Sequence, residues 1–237
     1  MSTSNIQEVV GIVDRSGSMI GKEEDTIGGI NVMLKELKEN SSPDDDIRVS
    51  LKLFDHEEQM LWRSIPLETV NLLSVSDFNP RGQTALLDAL GNTLKYFMEK
   101  RLMNNDAYKS CLIYVATDGK ENCSRYYSKC NIKKMINNAK EKYNIEVIYL
   151  GANQDAILEA STFGIDENHA INYNENPEST QAVYRAVSRA VSSQRSNSSY
   201  NFEFTQQERE ESQQESYMPT STQPPPITRS PRIFSYN

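Results

Sequence analysis

The amino-acid sequence predicts a doubly wound α/β fold, in which a mostly parallel sheet with one antiparallel edge strand lies between two layers of helices. Three observations point to this fold. Short continuous apolar runs, typical of strands buried on both faces, alternate with segments of helical periodicity. One pair of runs instead alternates apolar and polar residues on either side of a short turn, as antiparallel hairpins do. Because parallel strands need long crossover connections, the intervening helices are expected to cover both faces of the sheet.

The predicted elements follow one another in a regular order. Strands are expected at residues 9–13, 47–53, 59–65, 111–116, 147–150 and 169–173. Apolar residues at helical spacing predict helices at residues 27–37, 85–102, 132–139 and 183–190, with a shorter helix near 155–161. The second and third strands form the hairpin, which we place at one edge of the sheet. The runs that begin at residues 9, 111 and 147 are expected to be its central parallel strands.

Composition divides the chain into two parts. Only 37% of the 237 residues are apolar, which is low for a globular protein. Beyond residue 192, Ser, Gln, Glu and Pro dominate, and this stretch holds five of the nine prolines. Such segments cannot bury enough apolar surface to offset the entropy of folding. We therefore predict one folded domain over residues 1–191 and a disordered, low-complexity tail over residues 192–237.

The charge and the local composition exclude several classes of protein. The chain has 25 Lys and Arg against 33 Asp and Glu, a net charge of −8, which argues against a nucleic-acid partner. No apolar stretch approaches the ~18 residues of a membrane span, and the first eight residues do not resemble a signal peptide. The three cysteines and two histidines lack the spacing of a zinc site. We therefore expect a cytoplasmic protein with no membrane partner.

Oxygen-bearing side chains follow two of the predicted strands. Asp14, Ser16 and Ser18 come directly after the first strand, Asp118 follows the strand at 111–116, and Thr84 stands in the loop before a helix. Sites in doubly wound sheets lie at the carboxyl ends of the strands, so we expect these side chains to converge. Carboxylate and hydroxyl oxygens are hard ligands, and Mg²⁺ takes such ligands at about 2.0–2.1 Å. The sequence therefore predicts a magnesium site.

The order Asp-x-Ser-x-Ser, then Thr, then Asp resembles the metal-ion-dependent adhesion site of von Willebrand factor type A domains. The resemblance covers nearly the whole predicted domain and implies the Rossmann-like fold of that family. It also implies that Ser16, Ser18 and Thr84 bind Mg²⁺ or Mn²⁺ directly, whereas Asp14 and Asp118 act through bound waters. The partner that it implies is a protein ligand presenting Asp or Glu.

The ligand types favour binding over catalysis. Neutral hydroxyl ligands leave positive charge on a divalent cation, which therefore keeps an affinity for an anionic group such as a partner carboxylate. A catalytic magnesium site usually binds carboxylates directly and has a base nearby. His56 is expected at the far end of the hairpin and His169 at the start of a late strand, away from the site. We therefore predict a metal-dependent protein-interaction module, an adaptor or assembly subunit rather than an enzyme.

Two alternative functions remain open at this stage. The first is a magnesium-dependent phosphoryl-transfer enzyme on a similar sheet. The haloacid dehalogenase pattern needs a second Asp where Ser16 stands, and the Gly-Lys-Ser/Thr of a phosphate-binding loop does not occur. The second is a nucleic-acid-associated member of the same family, against which the net charge counts unless a local basic patch exists.

Overall fold

The computed structural model describes residues 5–152, 155–196 and 202–215, and the structural statements below concern these residues. Six strands form one sheet in the order β3-β2-β1-β4-β5-β6. The strands are β1 Ile6–Asp14, β2 Asp46–Phe54, β3 Glu58–Pro66, β4 Ser110–Thr117, β5 Ile145–Ala152 and β6 Ala170–Tyr173. The helices are α1 Glu23–Glu39, α2 Leu86–Met103, α3 Lys129–Tyr143, α4 Ala156–Thr162, α5 Pro177–Ser196 and α6 Gln206–Glu211.

The predicted fold class is confirmed by this topology. The hairpin of β2 and β3 is antiparallel and lies at one edge, and every other neighbouring pair of strands is parallel. Helices α1 and α5 cover one face of the sheet, and α2, α3 and α4 cover the other. Within the three described ranges, no helix combines the length and the apolar character needed to cross a membrane.

Strand β1 illustrates why the central strands are continuous apolar runs. Val9 and Val13 pack towards α1 and α5, whereas Val10 and Ile12 pack towards α2 and α3, and all four are fully buried. Burying such a side chain stabilises the fold by roughly 1.5–3 kcal/mol. Between them, Gly11 leaves room for the phenol ring of Tyr114 on β4, which a methyl group at this position would strike. Strand β1 therefore contributes to the hydrophobic cores on both faces of the sheet.

The parallel register brings three strand ends level with one another. Asp14 at the end of β1 lies opposite Phe54 at the end of β2, and Val13 lies opposite Ala116 on β4. Residues that follow these strands consequently meet at one end of the sheet, here called its carboxyl end. The loops that carry the predicted site all start or finish there.

The chain beyond the predicted domain boundary differs in part from the disordered tail that the composition suggests. Helix α5 crosses the boundary, and residues 202–215 pack against the domain, with Phe202 2% and Phe204 5% exposed. Two buried phenylalanines anchor this short segment to the domain. Because two residues hardly change the composition of a polar stretch, composition alone does not reveal them. The other positions of the predicted tail, 197–201 and 216–237, lie outside the described residues.

Candidate metal centre

The loop after β1 is folded around the carboxylate of Asp14. One oxygen, Oδ1, accepts a hydrogen bond of 2.6 Å from the backbone N–H of Ser16. The other, Oδ2, accepts one of 2.6 Å from the hydroxyl of Thr117, the last residue of β4. Asp14 is fully buried. The two carboxylate oxygens are therefore held in place, one by the loop after β1 and the other by the last residue of β4.

A line of hydroxyl groups links this loop to the one that follows β4. The hydroxyl oxygens of Ser16 and Ser18 lie 3.0 Å apart. Ser18 Oγ then donates a hydrogen bond of 2.6 Å to Oδ1 of Asp118, whose side chain is 2% exposed. The structure therefore joins the two predicted carboxylates through the two predicted serines.

The loop that carries Thr84 is attached to both of these segments. Its Gly82 carbonyl accepts a hydrogen bond of 3.1 Å from the backbone N–H of Gly17. The backbone N–H of Thr84 donates to Oδ1 of Asn122, at 2.9 Å, and the Thr84 carbonyl accepts from the Asn122 N–H. These contacts tie Thr84 to the loops after β1 and β4.

The side chains of the three segments converge beside Gly119. A methyl group placed on Gly119 would lie 3.3 Å from Thr84 Oγ1, 3.4 Å from Ser18 Oγ and 3.6 Å from Asp14 Oδ2. Three oxygen atoms, two from the end of β1 and the loop after it and one from the loop that carries Thr84, thus border one small space. The structure brings the five predicted side chains together, and their role as metal ligands remains a prediction.

The electrostatics of this cluster suit a cation. Burial raises the pKa of Asp14 to about 6, although hydrogen bonds from Thr117 and Ser16 lower it, and the charge of Asp118 raises it further. Negative charge is therefore costly at this position. Hydroxyl and carboxylate oxygens are the ligands that Mg²⁺ and Mn²⁺ prefer in proteins. The residues present fit a divalent cation both by donor type and by charge.

One charged side chain beside the cluster was not predicted. Lys22, directly before α1, places its ammonium group against Oδ2 of Asp118 and Oε1 of Glu175, which lies in the loop between β6 and α5. Partial burial lowers the pKa of Lys22, but the hydrogen bonds to the two carboxylates outweigh it and raise the pKa overall. A sequence signal existed, because cations are disfavoured at helix N-termini.

A second buried carboxylate, Asp55, organises the same loops. Its Oδ2 lies 3.0 Å from Nε of Arg15 and accepts a hydrogen bond of 3.0 Å from Nε of Arg81. Its backbone carbonyl also accepts a hydrogen bond of 2.9 Å from the N–H of Ala85. Asp55 therefore fixes the residues that flank the predicted ligands, a role that its place in a short polar turn did not suggest.

The predicted position of His56 is wrong. Its Nδ1 lies 3.3 Å from Oδ1 of Asp55, and its ring packs against Gly82, two residues before Thr84. Because β2 is parallel to β1, the hairpin turn lies at the carboxyl end of the sheet and not away from it. Gly82 has a φ of +71°, a conformation that favours glycine, and the nearby imidazole leaves no space for a side chain. His169 precedes β6 and lies at the opposite end.

Comparisons with known proteins identify the fold. Neither the protein-family models nor the curated proteins include a match to this sequence. Among solved structures, the vWF domain of the type V pili tip protein Mfa5 from Porphyromonas gingivalis matches with a TM-score of 0.59 and 12% identity, over 85% of this chain and 99% of that one. The manganese-loaded TRAP protein of Plasmodium vivax matches with a TM-score of 0.54 and 21% identity, over 74% of this chain and 71% of that one.

A third match is the proximal thread matrix protein 1 from the mussel byssus, with a TM-score of 0.58 and 14% identity over 80% of this chain. The match spans 47% of the mussel protein, so this chain corresponds to about half of it. At these identities the similarity concerns the fold. The chain has the von Willebrand factor type A fold, and its cluster of side-chain oxygens lies at the carboxyl end of the central strands.

Proposed function

We propose that this chain is a metal-dependent protein-interaction module that captures a carboxylate of a protein partner. In this proposal Ser16, Ser18 and Thr84 bind Mg²⁺ or Mn²⁺ directly, and Asp14 and Asp118 hold it through waters. The observation that carries the proposal is the convergence of hydroxyl and carboxylate oxygens from separate loops beside Gly119. When bound, the cation supplies the positive charge that attracts an acidic side chain of the partner.

The chain's own residues define what such a site can do. Both oxygens of Asp14 are engaged by Ser16 and Thr117, so this carboxylate is presented at a fixed position. The hydroxyls of Ser16 and Ser18 add ligand atoms without adding negative charge. A site built in this way keeps a net attraction for an anionic ligand, which a site of three direct carboxylates would cancel.

The comparisons support a cation at this position of the fold. The TRAP structure is manganese-loaded. One structure of the mussel protein has zinc in its metal-ion-dependent adhesion site (MIDAS) motif, and it matches this chain at 14% identity with a TM-score of 0.55. Two of these proteins are named as a thread matrix protein of the mussel byssus and as a tip protein of pili. Together with the geometry, these likenesses favour an adaptor or assembly subunit.

The proposal does not include catalysis. Asp14 is fully buried, and each of its oxygens accepts a hydrogen bond, an arrangement that holds the carboxylate in place and does not activate it as a nucleophile. The enzyme alternative is tested because the His56 ring packs against Gly82, two residues before Thr84. If the purified chain hydrolyses a simple phosphate monoester and Asp14→Asn abolishes this activity, the chain is an enzyme and the proposed interaction module is wrong.

Calorimetric titration of the full chain with Mn²⁺ tests the site itself. Thr84→Ala removes one hydroxyl ligand and is expected to weaken Mn²⁺ binding at least ~10-fold, a loss typical of damaged metal sites. Thr69→Ala is the matched control, because this exposed threonine bonds only the local Pro66 carbonyl among the contacts described and is expected to leave binding unchanged. Equal affinity of Thr84→Ala and the unaltered chain would contradict the proposed ligand set.

Partner capture tests the function. Immobilised full-length chain is incubated with cell extract in Mn²⁺ or in excess chelator, and the retained proteins are compared by mass spectrometry. We expect a set of proteins that is retained only with the cation and is absent when Thr84→Ala is used as bait. Retention that is undiminished by the chelator would reject metal-dependent binding.

A further inference from the structure

The ammonium group of Lys22 lies at the candidate metal centre, where it contacts the carboxylate of Asp118. Its ammonium group contacts Asp118 and Glu175 at once, and the exposed fractions of the three side chains are 24%, 2% and 27% in the order Lys22, Asp118 and Glu175. It stands immediately before α1, whose first turn also carries three acidic residues. A helix N-terminus repels cations, so the position of this lysine depends on the two carboxylates.

Both carboxylates are held by other parts of the chain. The second oxygen of Asp118 accepts the hydrogen bond from Ser18, so the carboxylate cannot turn freely to follow the lysine. Glu175 lies between two asparagines whose contacts tie the loop to the carboxy-terminal segment. The Asn174 N–H donates to the Ser212 carbonyl at 2.9 Å, and Asn176 Nδ2 donates to the Gln214 carbonyl at 3.0 Å. The ammonium group thus contacts two carboxylates that are each restrained by other parts of the chain.

We propose that Lys22 is an intramolecular competitor of the divalent cation, which lowers the affinity of the site and so sets the cation concentration at which the module can capture its partner. The inference rests on the proposed function, because it concerns the same site. Asp118 serves both cations, and a like charge within a few ångströms opposes binding of a second one. Glu175 gives the lysine a second carboxylate partner, which it keeps when the metal takes the place of the ammonium group beside Asp118.

Two substitutions at this contact are expected to act in opposite directions. Lys22→Met removes the competing charge while keeping most of the length of the side chain, so the affinity for Mn²⁺ should rise. Glu175→Gln removes the carboxylate to which the lysine can retreat, so the ammonium group stays on Asp118 and the affinity should fall. A role of Lys22 in packing alone does not produce this opposition of signs.

Calorimetric titration of the full chain with Mn²⁺ measures both effects. Adjacent charges shift the binding of a proton by roughly one to three powers of ten, so we expect Lys22→Met to bind Mn²⁺ ~10-fold more tightly or better. Lys120→Met is the matched control, because it removes an exposed lysine two residues from Asp118 for which no ion pair is described. Its affinity for Mn²⁺ is expected to change by less than about twofold, since exposed charges are screened.

Thermal denaturation provides a second readout. In Lys22→Met the buried carboxylate of Asp118 loses its positive partner, so the metal-free protein should melt at a lower temperature than the unaltered chain. Saturating Mn²⁺ should then raise the melting temperature of Lys22→Met by more than it raises that of the unaltered chain. If Lys22→Met does not fold, Lys22→Gln replaces it with the same expectations.

The possible outcomes separate this inference from the function on which it rests. If the unaltered chain binds Mn²⁺ and Lys22→Met binds it equally or less tightly, the lysine is not a competitor, while the metal centre stands. An equal gain in Lys120→Met would also overturn the inference, because the effect would then be one of net charge. If neither the unaltered chain nor Lys22→Met binds Mn²⁺, the metal centre and the inference fail together.

Discussion

Two groups of buried carboxylates lie at the carboxyl end of the sheet, and they are neutralised differently. Asp55 is paired with Arg15, which is itself 6% exposed, and with Arg81. Asp14 has no ion-pair partner among the described residues and is bordered by hydroxyl groups, while Asp118 has the single lysine. The carboxylate of Asp55 is neutralised by arginines, and its contacts hold the loops; this is the complete group. Asp14 and Asp118 have fewer positive side chains than negative ones beside them, and they form the incomplete group. The difference suggests where a cation would be bound.

The largest effect is expected from breaking the complete group. Asp55→Ala leaves the buried guanidinium of Arg15 without its partner, which typically costs about 3–5 kcal/mol in the free energy of unfolding. Urea denaturation of the metal-free chain measures this loss. The control is Glu99→Ala, which removes an exposed partner of Lys95 and should cost ~1 kcal/mol or less. A similar small loss in Asp55→Ala would mean that this pair does not hold the loops.

The next effect is a pH dependence that belongs to the incomplete group. The pKa of Asp14 is raised from its ordinary value of 3.8 to about 6 in the folded chain, so the folded state binds the proton more tightly than the unfolded state. The tighter binding of this proton stabilises the folded state fully below pH 4, and this stabilisation is lost as the pH rises through about 6. The shift corresponds to roughly 3 kcal/mol in the free energy of unfolding.

Urea denaturation between pH 4 and pH 7.5 in chelator, for the unaltered chain and Asp14→Asn, isolates this effect. The difference in unfolding free energy between the two proteins should change across this window in favour of Asp14→Asn as the pH rises. Saturating Mn²⁺ should reduce the change, because a bound cation favours the charged carboxylate. A difference that is constant with pH would show that burial does not raise the pKa of Asp14.

The smallest effect is expected from the outer arginine of the complete group. The side chain of Arg81 is 49% exposed, so Arg81→Ala should lower the free energy of unfolding by about 1 kcal/mol or less, although it also pairs with Asp55. Comparison with Asp55→Ala in the same urea titration separates the buried contact of Arg15 from the exposed one. Losses of equal size would mean that Asp55 depends on both arginines alike.

The strands and the candidate ligands were accessible from the sequence for the same reason. Apolar runs and helical spacing are local patterns, and a parallel order of elements already places residues such as Asp14 and Asp118 at one end of the sheet. The same reasoning, applied to β2, would have placed His56 there too. The predicted position of His56 is wrong because it depends on the parallel pairing of β2 with β1, which the alternating pattern of the hairpin does not reveal. Residues 202–215 were missed because their contacts depend on two phenylalanines within a polar stretch.

The sequence by itself determined the order of the elements and the burial of the central strands, because each depends on residues close together in the chain. It also supplied the set of candidate oxygen ligands, because the order of strands and loops is read along the chain. Only the tertiary structure decided which charge neutralises which. Lys22 meets Asp118 across 96 positions and Glu175 across 153, and no local pattern records such a pairing. The balance of charge at the candidate metal centre is therefore a property of the folded chain, since ion pairs are selected by distance and burial.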